Sequence, residues 1–276
     1  MGADGHKLAL QALHGEATER TPVGPLTWGF DYIWKVANLE PWQLACGGSE
    51  TWHKAHLAML ERHDVDIIWY EGAGHGPEEP TLVEETRREW VVRDNNNGRT
   101  YGLMKDSLAL YDIETGPHVD IGTATTSQAI TSEEEADRRI PLFQTWGEGY
   151  LRGLTRLINQ VGDRALVLPH HSPGYIVGCY EFGFEAAMET MLANPELFFY
   201  VCNRFAEGDE RRMREWAAAG AEAVYIADGW ASCDIISPAM FERFALPYQR
   251  SIAEAAHRAG LLIILWNEGN VLPILE

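Results

Sequence analysis

The stretch Ala221-Glu-Ala-Val-Tyr-Ile-Ala-Asp-Gly-Trp-Ala-Ser-Cys-Asp-Ile-Ile-Ser-Pro238 decides the fold. Its apolar run, Ala223 to Ala227, reads as a buried strand that stops at a carboxylate, Asp228. Glycine and tryptophan follow, and Ser237-Pro238 is a helix start. A strand ending in an acid, then a loop and a helix, is how α/β enzymes present catalytic groups.

Working outward, the same unit recurs. Val65 to Tyr70 stops at Glu71, and Ala165 to Leu168 stops before Pro169-His170-His171. Leu261 to Leu265 runs into Trp266-Asn267-Glu268. Apolar residues at helical spacing predict helices over 41–63, 146–160 and 195–220. A further helix is expected from Ser237 to Gly260, kinked at Pro247. Strands alternating with helices imply βα units and a parallel sheet, and continuously apolar strands imply a sheet covered on both faces. A doubly wound sheet and a (β/α)8 barrel both fit. No G-x-G-x-x-G or G-K-[ST] loop follows any strand, and polar groups stand at several strand ends. Both points favour a TIM-like (β/α)8 barrel, read as a single domain over 1–276.

One segment interrupts the pattern. Glu89-Trp-Val-Val-Arg93 and Arg99-Thr-Tyr-Gly-Leu-Met104 flank Asn95-Asn-Asn-Gly98. Asn97-Gly98 predicts a type I′ turn, hence a β-hairpin insertion over about 82–105. Ser132-Glu-Glu-Glu135 has capping-box form and predicts a short helix.

Asp and Glu number 41 against 22 Lys and Arg, a formal charge of −19. That balance speaks against nucleic acid or an anionic membrane as partner. The four cysteines form no C-x-x-C pair and suggest no disulfide framework. The N-terminus shows no apolar signal region, and no apolar run approaches the ~18–20 residues of a membrane span, so a cytoplasmic location is expected.

The candidate catalytic residues are Asp228, His170 and His171. The acid sits where a barrel presents its chemistry, and the histidine pair offers proton transfer or metal binding. Their structural alternatives are loop capping and packing. Trp28, Glu71, Tyr175, Trp230, Trp266 and Asn267 are the candidate substrate-binding residues, the tryptophans as walls of an apolar cleft. His53, His56 and His63 lie near helical spacing but lack the H-E-x-x-H form, and read as core or surface residues.

The opening stretch, continued by Phe241-Glu-Arg-Phe-Ala-Leu-Pro-Tyr248, resembles the uroporphyrinogen decarboxylase superfamily over about residues 195–276. That superfamily has an acid-x-Trp-Ala segment, a Ser-Pro helix start and a Leu-Pro-Tyr helix at these offsets. Residues 1–75 resemble the family's opening less closely. The resemblance implies a distorted TIM barrel with its cleft at the strand C-terminal ends. Val271 to Glu276 looks like the start of a helix from which relatives continue. The resemblance therefore predicts a barrel lacking its C-terminal βα units, whose open edges favour a partner or a homodimer.

Two activities are implied. One branch decarboxylates uroporphyrinogen III without a cofactor and carries an Arg-rich N-terminal motif. Here that region reads Pro25-Leu-Thr-Trp-Gly-Phe-Asp-Tyr-Ile-Trp34, without arginine. An octacarboxylate needs guanidinium partners. The other branch moves methyl groups between small substrates and a corrinoid on a partner protein, commonly with a His-x-Cys-Gly zinc motif. Here Trp266 and Glu268 stand at the His and Cys positions. This departure points away from thiolate-bound zinc and leaves Glu268 as the metal-ligand candidate. The expectation is corrinoid-dependent methyl transfer, with an aromatic methyl ether as donor class. Uroporphyrinogen decarboxylation is the first alternative, and a binding scaffold with a degenerate metal site the second.

Overall fold

The computed structural model describes residues 4–25, 32–70, 78–114 and 130–275. In chain order the first elements are α1 (Gly5–Leu13), α2 (Ile33–Val36), α3 (Pro41–Ala45), α4 (Ser49–Arg62) and β1 (Ile67–Tyr70). Strands β2 (Thr81–Glu85), β3 (Glu89–Arg93), β4 (Thr100–Met104) and β5 (Leu110–Asp112) follow. Next come α5 (Glu133–Arg139), α6 (Glu148–Val161), β6 (Leu166–His171), α7 (Gly174–Phe182) and α8 (Phe184–Ala193). The chain continues through α9 (Pro195–Ala206), α10 (Asp209–Ala218) and β7 (Ala223–Ala227). It closes with α11 (Pro238–Met240), α12 (Leu246–Arg258) and β8 (Leu262–Trp266).

The parallel strands take the order β1-β6-β7-β8, a four-stranded α/β sheet among the described residues. All five residues of β7 are buried, as a strand covered on both faces requires. No helix of the described residues is long and apolar enough to cross a membrane.

Two compact units emerge, residues 1–122, 147–169 and 219–221 in one, and 123–146, 170–218 and 222–276 in the other. In the first, Arg20 grips Asp66 with two guanidinium bonds of 2.6 and 2.7 Å, and the Val23 N–H adds a third at 2.7 Å. The Val23 carbonyl in turn accepts from Asp66 and Ile67 N–H, so the proline-rich lead-in is anchored on the start of β1. His56 is buried on α4, with ring nitrogens 2.7 and 2.9 Å from the Trp52 and Trp69 carbonyls. It is a core histidine, as its spacing suggests.

The insertion is larger than a hairpin. Strands β2, β3, β4 and β5 form a four-stranded antiparallel sheet. Its central turn is not type I′, because that turn needs positive φ at both central residues, and here Gly98 alone has it, at 72°. Asp94 bonds both Gly98 and Arg99 across a four-residue loop instead, with N···O distances of 2.8 and 2.9 Å.

Three long helices of the sequence reading are broken. The 41–63 segment divides at Cys46-Gly47-Gly48 into α3 and α4. The 195–220 segment divides at Glu207-Gly208 into α9 and α10. In the 237–260 segment a π-turn over Phe241–Ala245 precedes Pro247. There the Leu246 N–H reaches back five residues to the Phe241 carbonyl, so the widened turn absorbs a proline that would otherwise lose its bond inside an α-helix. Strand β6 also runs on through Pro169 to His171, three residues past the expected stop at Leu168. Ser132 caps α5 as predicted, accepting from the Glu135 N–H at 3.2 Å.

The core of the second unit is aromatic. Phe182 stacks on Phe198 at 5.8 Å, and Phe244 meets Phe198 and Phe199 at 5.7 and 5.2 Å. Helix α7 packs on α9 through two glycines one turn apart. A Cβ on Gly174 would lie 2.5 Å from the Cys202 carbonyl oxygen, and one on Gly178 would lie 2.5 Å from the Cys202 Sγ. Gly174→Ala gains roughly 1 kcal/mol of helix propensity but collides with backbone, which costs about 1–3 kcal/mol. It is expected to lower unfolding free energy in urea. Gly149→Ala on α6, where nothing lies within 4 Å, is expected to be neutral or stabilising.

Candidate functional site at the strand ends of the second unit

Because β6, β7 and β8 are parallel, their C-terminal ends share one side of the sheet. Asp228 follows β7 directly and is fully buried. Its N–H donates to the Trp266 carbonyl at 2.9 Å and its carbonyl accepts from Ala231 at 3.2 Å, which pins its backbone. Its Oδ2 accepts from the Gln249 Nε2 at 2.7 Å. Its Oδ1 is buried and has no partner among the described residues. Burial pushes the carboxyl up to about 7, and the Gln249 bond opposes that rise only in part.

Helix α7 supplies the neighbouring wall. Tyr175 is fully buried and its hydroxyl donates to the Trp230 carbonyl at 3.3 Å. Burial raises its hydroxyl, with Cys179, Asp228 and Cys202 adding to the effect. Trp230 meets Tyr180 and Phe184 edge-on, at 4.9 and 5.1 Å. Tyr180 and Phe184 are 40% and 42% exposed, so the aromatic group forms a rim open to solvent. The Tyr180 hydroxyl is raised by burial first, with Asp228, Cys179 and Glu268 adding to the effect.

The loops after β7 and β8 lock onto each other. Asn267 Nδ2 donates to the Ala231 carbonyl at 2.9 Å, Cys233 N–H to the Asn270 carbonyl at 2.9 Å, and Asn270 N–H to Asp234 Oδ2 at 2.7 Å. Trp266 and Glu268 both approach Gly229: a Cβ there would lie 3.3 Å from the Trp266 ring and 3.5 Å from a Glu268 carboxylate oxygen. Glu268 is exposed. Among the described residues it belongs to no trio of donor side chains of the kind a protein zinc site needs. The one such trio is Asp4, His6 and Asp163, in the first unit, where Asp4 already caps α1 by accepting from Lys7 N–H.

The structure thus assembles Asp228, Tyr175, Trp230, Trp266, Asn267 and Glu268 in one region. It does not bring the histidine pair to Asp228. His170 pairs in register with Tyr225, three residues before Asp228, or about 10 Å along the strand. Burial lowers His170 to about 4, with His171 adding to the effect, so it is neutral near pH 7. His171 instead contacts Asp209 Oδ1 at 3.1 Å, and Asp209 also accepts from Arg212 at 2.9 Å. The arrangement is a buried ion network that orders the start of α10. Trp28 and Glu71 lie outside the described residues. Gln249 escaped sequence reading because it sits on an apolar helical stripe among Ala245, Tyr248 and Ile252. A lone amide on such a face is the one signal that could have found it.

Residues 165–276 match the family model "Uroporphyrinogen decarboxylase (URO-D)". Uroporphyrinogen decarboxylase 2, chloroplastic, of Arabidopsis thaliana is 31% identical over 125 residues, 42% of this chain and 31% of that protein. The uroporphyrinogen decarboxylase of Desulfotalea psychrophila is 34% identical over 90 residues, 32% of this chain and 26% of that protein. The matched part therefore spans about a third or less of these curated relatives. In structure, a methyltransferase from Methanosarcina mazei shares the fold, with a TM-score of 0.60 at 19% identity, covering 98% of this chain and 72% of that one. The acid-Gly-Trp-Ala loop, the Ser-Pro helix start and the Leu-Pro-Tyr helix all fall inside the matched segment, and over that segment the chain is similar to the uroporphyrinogen decarboxylase family.

Proposed function

We propose that the chain is a methyltransferase-type member of the superfamily, moving a methyl group between a small uncharged substrate and a corrinoid carried on a partner protein. An aromatic methyl ether is the substrate class that suits the site. The observation that carries this reading is Asp228: a buried carboxyl, neutral on the acid side of about 7, with one oxygen held and the other unpartnered. Such a group donates a hydrogen bond to an uncharged acceptor and releases its proton as that acceptor gains charge. The aromatic rim of Trp230, Tyr180 and Phe184 offers ring faces and edges to a flat apolar ligand.

A reduced corrinoid supplies the nucleophile that takes the methyl group. The residues of this chain act on the other side of the bond. The Asp228 Oδ1–H donates to the ether oxygen. As the methyl–oxygen bond breaks, both bonding electrons stay on oxygen, which takes the Asp228 proton and leaves as a phenol. Asp228 becomes a carboxylate held by Gln249 and is reprotonated from solvent. The donors near Glu268 do not form a zinc site among the described residues.

The second reading, uroporphyrinogen decarboxylation, is favoured by the family match over residues 165–276. Against it stand the acidic groups that bear on Tyr180, and the engagement of Arg204, Arg212 and Arg258 with Asp137, Asp209 and Glu210. A polycarboxylate substrate would require free guanidinium groups in their place.

Catechol release from guaiacol, with reduced cobalamin as acceptor, tests the leading proposal. Turnover of uroporphyrinogen III with no catechol formed would reverse the two. Asp228→Asn is expected to lower the methyl-transfer rate by roughly 100-fold or more, since a positioned general acid contributes about 10²–10⁴. The rate should fall as pH rises through about 7, where Asp228 ionises.

Stability carries the same signature. The folded carboxyl titrates near 7 and the ordinary group at 3.8, so the unfolded chain ionises first as pH rises. Stability present below 3.8 is lost up to about 7, by roughly 4 kcal/mol for a three-unit difference. Asp228→Asn removes that loss. The variant should therefore melt higher than the parent at pH 8 and nearer to it at pH 4, as thermal unfolding at the two pH values would show.

A further inference from the structure

Gln249 is 8% exposed and lies on α12, an element that contributes no other polar group to Asp228. Buried positions run Phe241, Phe244, Ala245, Tyr248, Gln249, Ile252 and Ala255, one stripe at helical spacing. Gln249 is the single amide on it, and its Nε2 lies 2.7 Å from one particular oxygen of Asp228.

The consequence concerns which oxygen carries the proton. An amide N–H can only donate, so the oxygen it meets must present a lone pair. Oδ2 is therefore the acceptor oxygen of the neutral carboxyl, and the proton is placed on Oδ1. Oδ1 is buried and has no partner among the described residues, and an unpaired buried polar atom is destabilising unless something else completes it. Burial and Gln249 are the two influences on Asp228 itself. The titratable groups that face it are Tyr175, Cys179 and Tyr180 from α7 and Cys202 from α9, with Glu268 beyond β8 reaching the same Tyr180 hydroxyl. None of these is a cation, so none does Gln249's work.

We propose that Gln249 is a positioning residue: its amide fixes the Asp228 rotamer through Oδ2 and so directs the carboxyl proton, at Oδ1, toward an uncharged acceptor on the ligand. The proposal deepens the methyl-transfer reading and rests on the same site. It can nevertheless be tested without any turnover.

The experiment is an NMR titration of the full chain with ¹³C-labelled aspartate carboxyls, Asp228 being assigned by its loss in Asp228→Asn. In the wild-type protein the Gln249 side-chain amide protons should move downfield through the same midpoint as the Asp228 carboxyl, because the bond strengthens when Oδ2 becomes charged. In Gln249→Met, similar in length and unable to donate, the Asp228 midpoint should rise by about one pH unit, the size expected for a lost bond to a charged group. Tyr248→Phe, one residue away, removes the hydroxyl bonded to Asn203 at 2.9 Å and should leave the midpoint where it was. A Gln249 amide that ignores the Asp228 titration overturns the proposal, and that measurement needs no variant to fold. A midpoint that is unchanged or lower in Gln249→Met also overturns it, a lower one meaning that the Gln249 carbonyl accepts the proton from Oδ2. If methyl transfer is present, Gln249→Met should lower kcat at least about tenfold with KM little changed, and move the kcat–pH profile by the same interval as the midpoint. If the titrations behave as expected and methyl transfer is absent, the functional reading fails and the positioning role stands.

Discussion

Strand β7 is the constraint on which the functional end of the chain depends. It pairs with β8 over five register positions and with the end of β6 over two, and all five of its side chains are buried. A strand so enclosed has no freedom to slip, because a one-residue shift would exchange its two faces and break both ladders at once. Whatever follows it is held where the ladder ends. Asp228 is that residue, and its own N–H is spent on the Trp266 carbonyl of the neighbouring strand. The carboxyl is thus buried by the sheet's geometry and not by its own preference.

That burial explains the site's electrostatics. Asp228 is buried away from water, and among the described residues no cation faces it and a single amide meets one of its oxygens. Desolvation wins over one hydrogen bond, so the group is poised between acid and base near neutrality. A buried arginine beside it would have produced the opposite result, a permanently charged carboxylate. The second unit does bury such a pair, Asp209 with Arg212, and uses it to hold His171. Two buried acids in one unit therefore differ in partner, a guanidinium for Asp209 and an amide for Asp228.

Much of the fold was legible in residues. The apolar runs ending at Tyr70, Leu168, Ala227 and Leu265 all became parallel strands, because continuous β-branched and aliphatic sequence suits only a sheet covered on both faces. The helix breaks at Gly47-Gly48 and Glu207-Gly208 were not legible. An apolar period continues across each of them, and period alone cannot show where two helices part. The insertion failed in a related way: Asn97-Gly98 signals a turn, but the extra strands β2 and β5 pair through contacts distant in sequence.

By itself, the sequence determined the parallel α/β plan, the position of Asp228 at a strand end, and the motifs around it that resemble the matched family. These are local properties of spacing and residue type. Only the tertiary structure decided which groups meet. It set His170 and His171 in register with Tyr225 and Ile226, about 10 and 7 Å along the strand from Asp228, and gave His171 to Asp209 instead. It brought Gln249 to Asp228 because that amide lies on the buried face of α12, which packs against the end of β7. Register and helix phase are set by the packing of whole elements, which no short stretch of sequence contains.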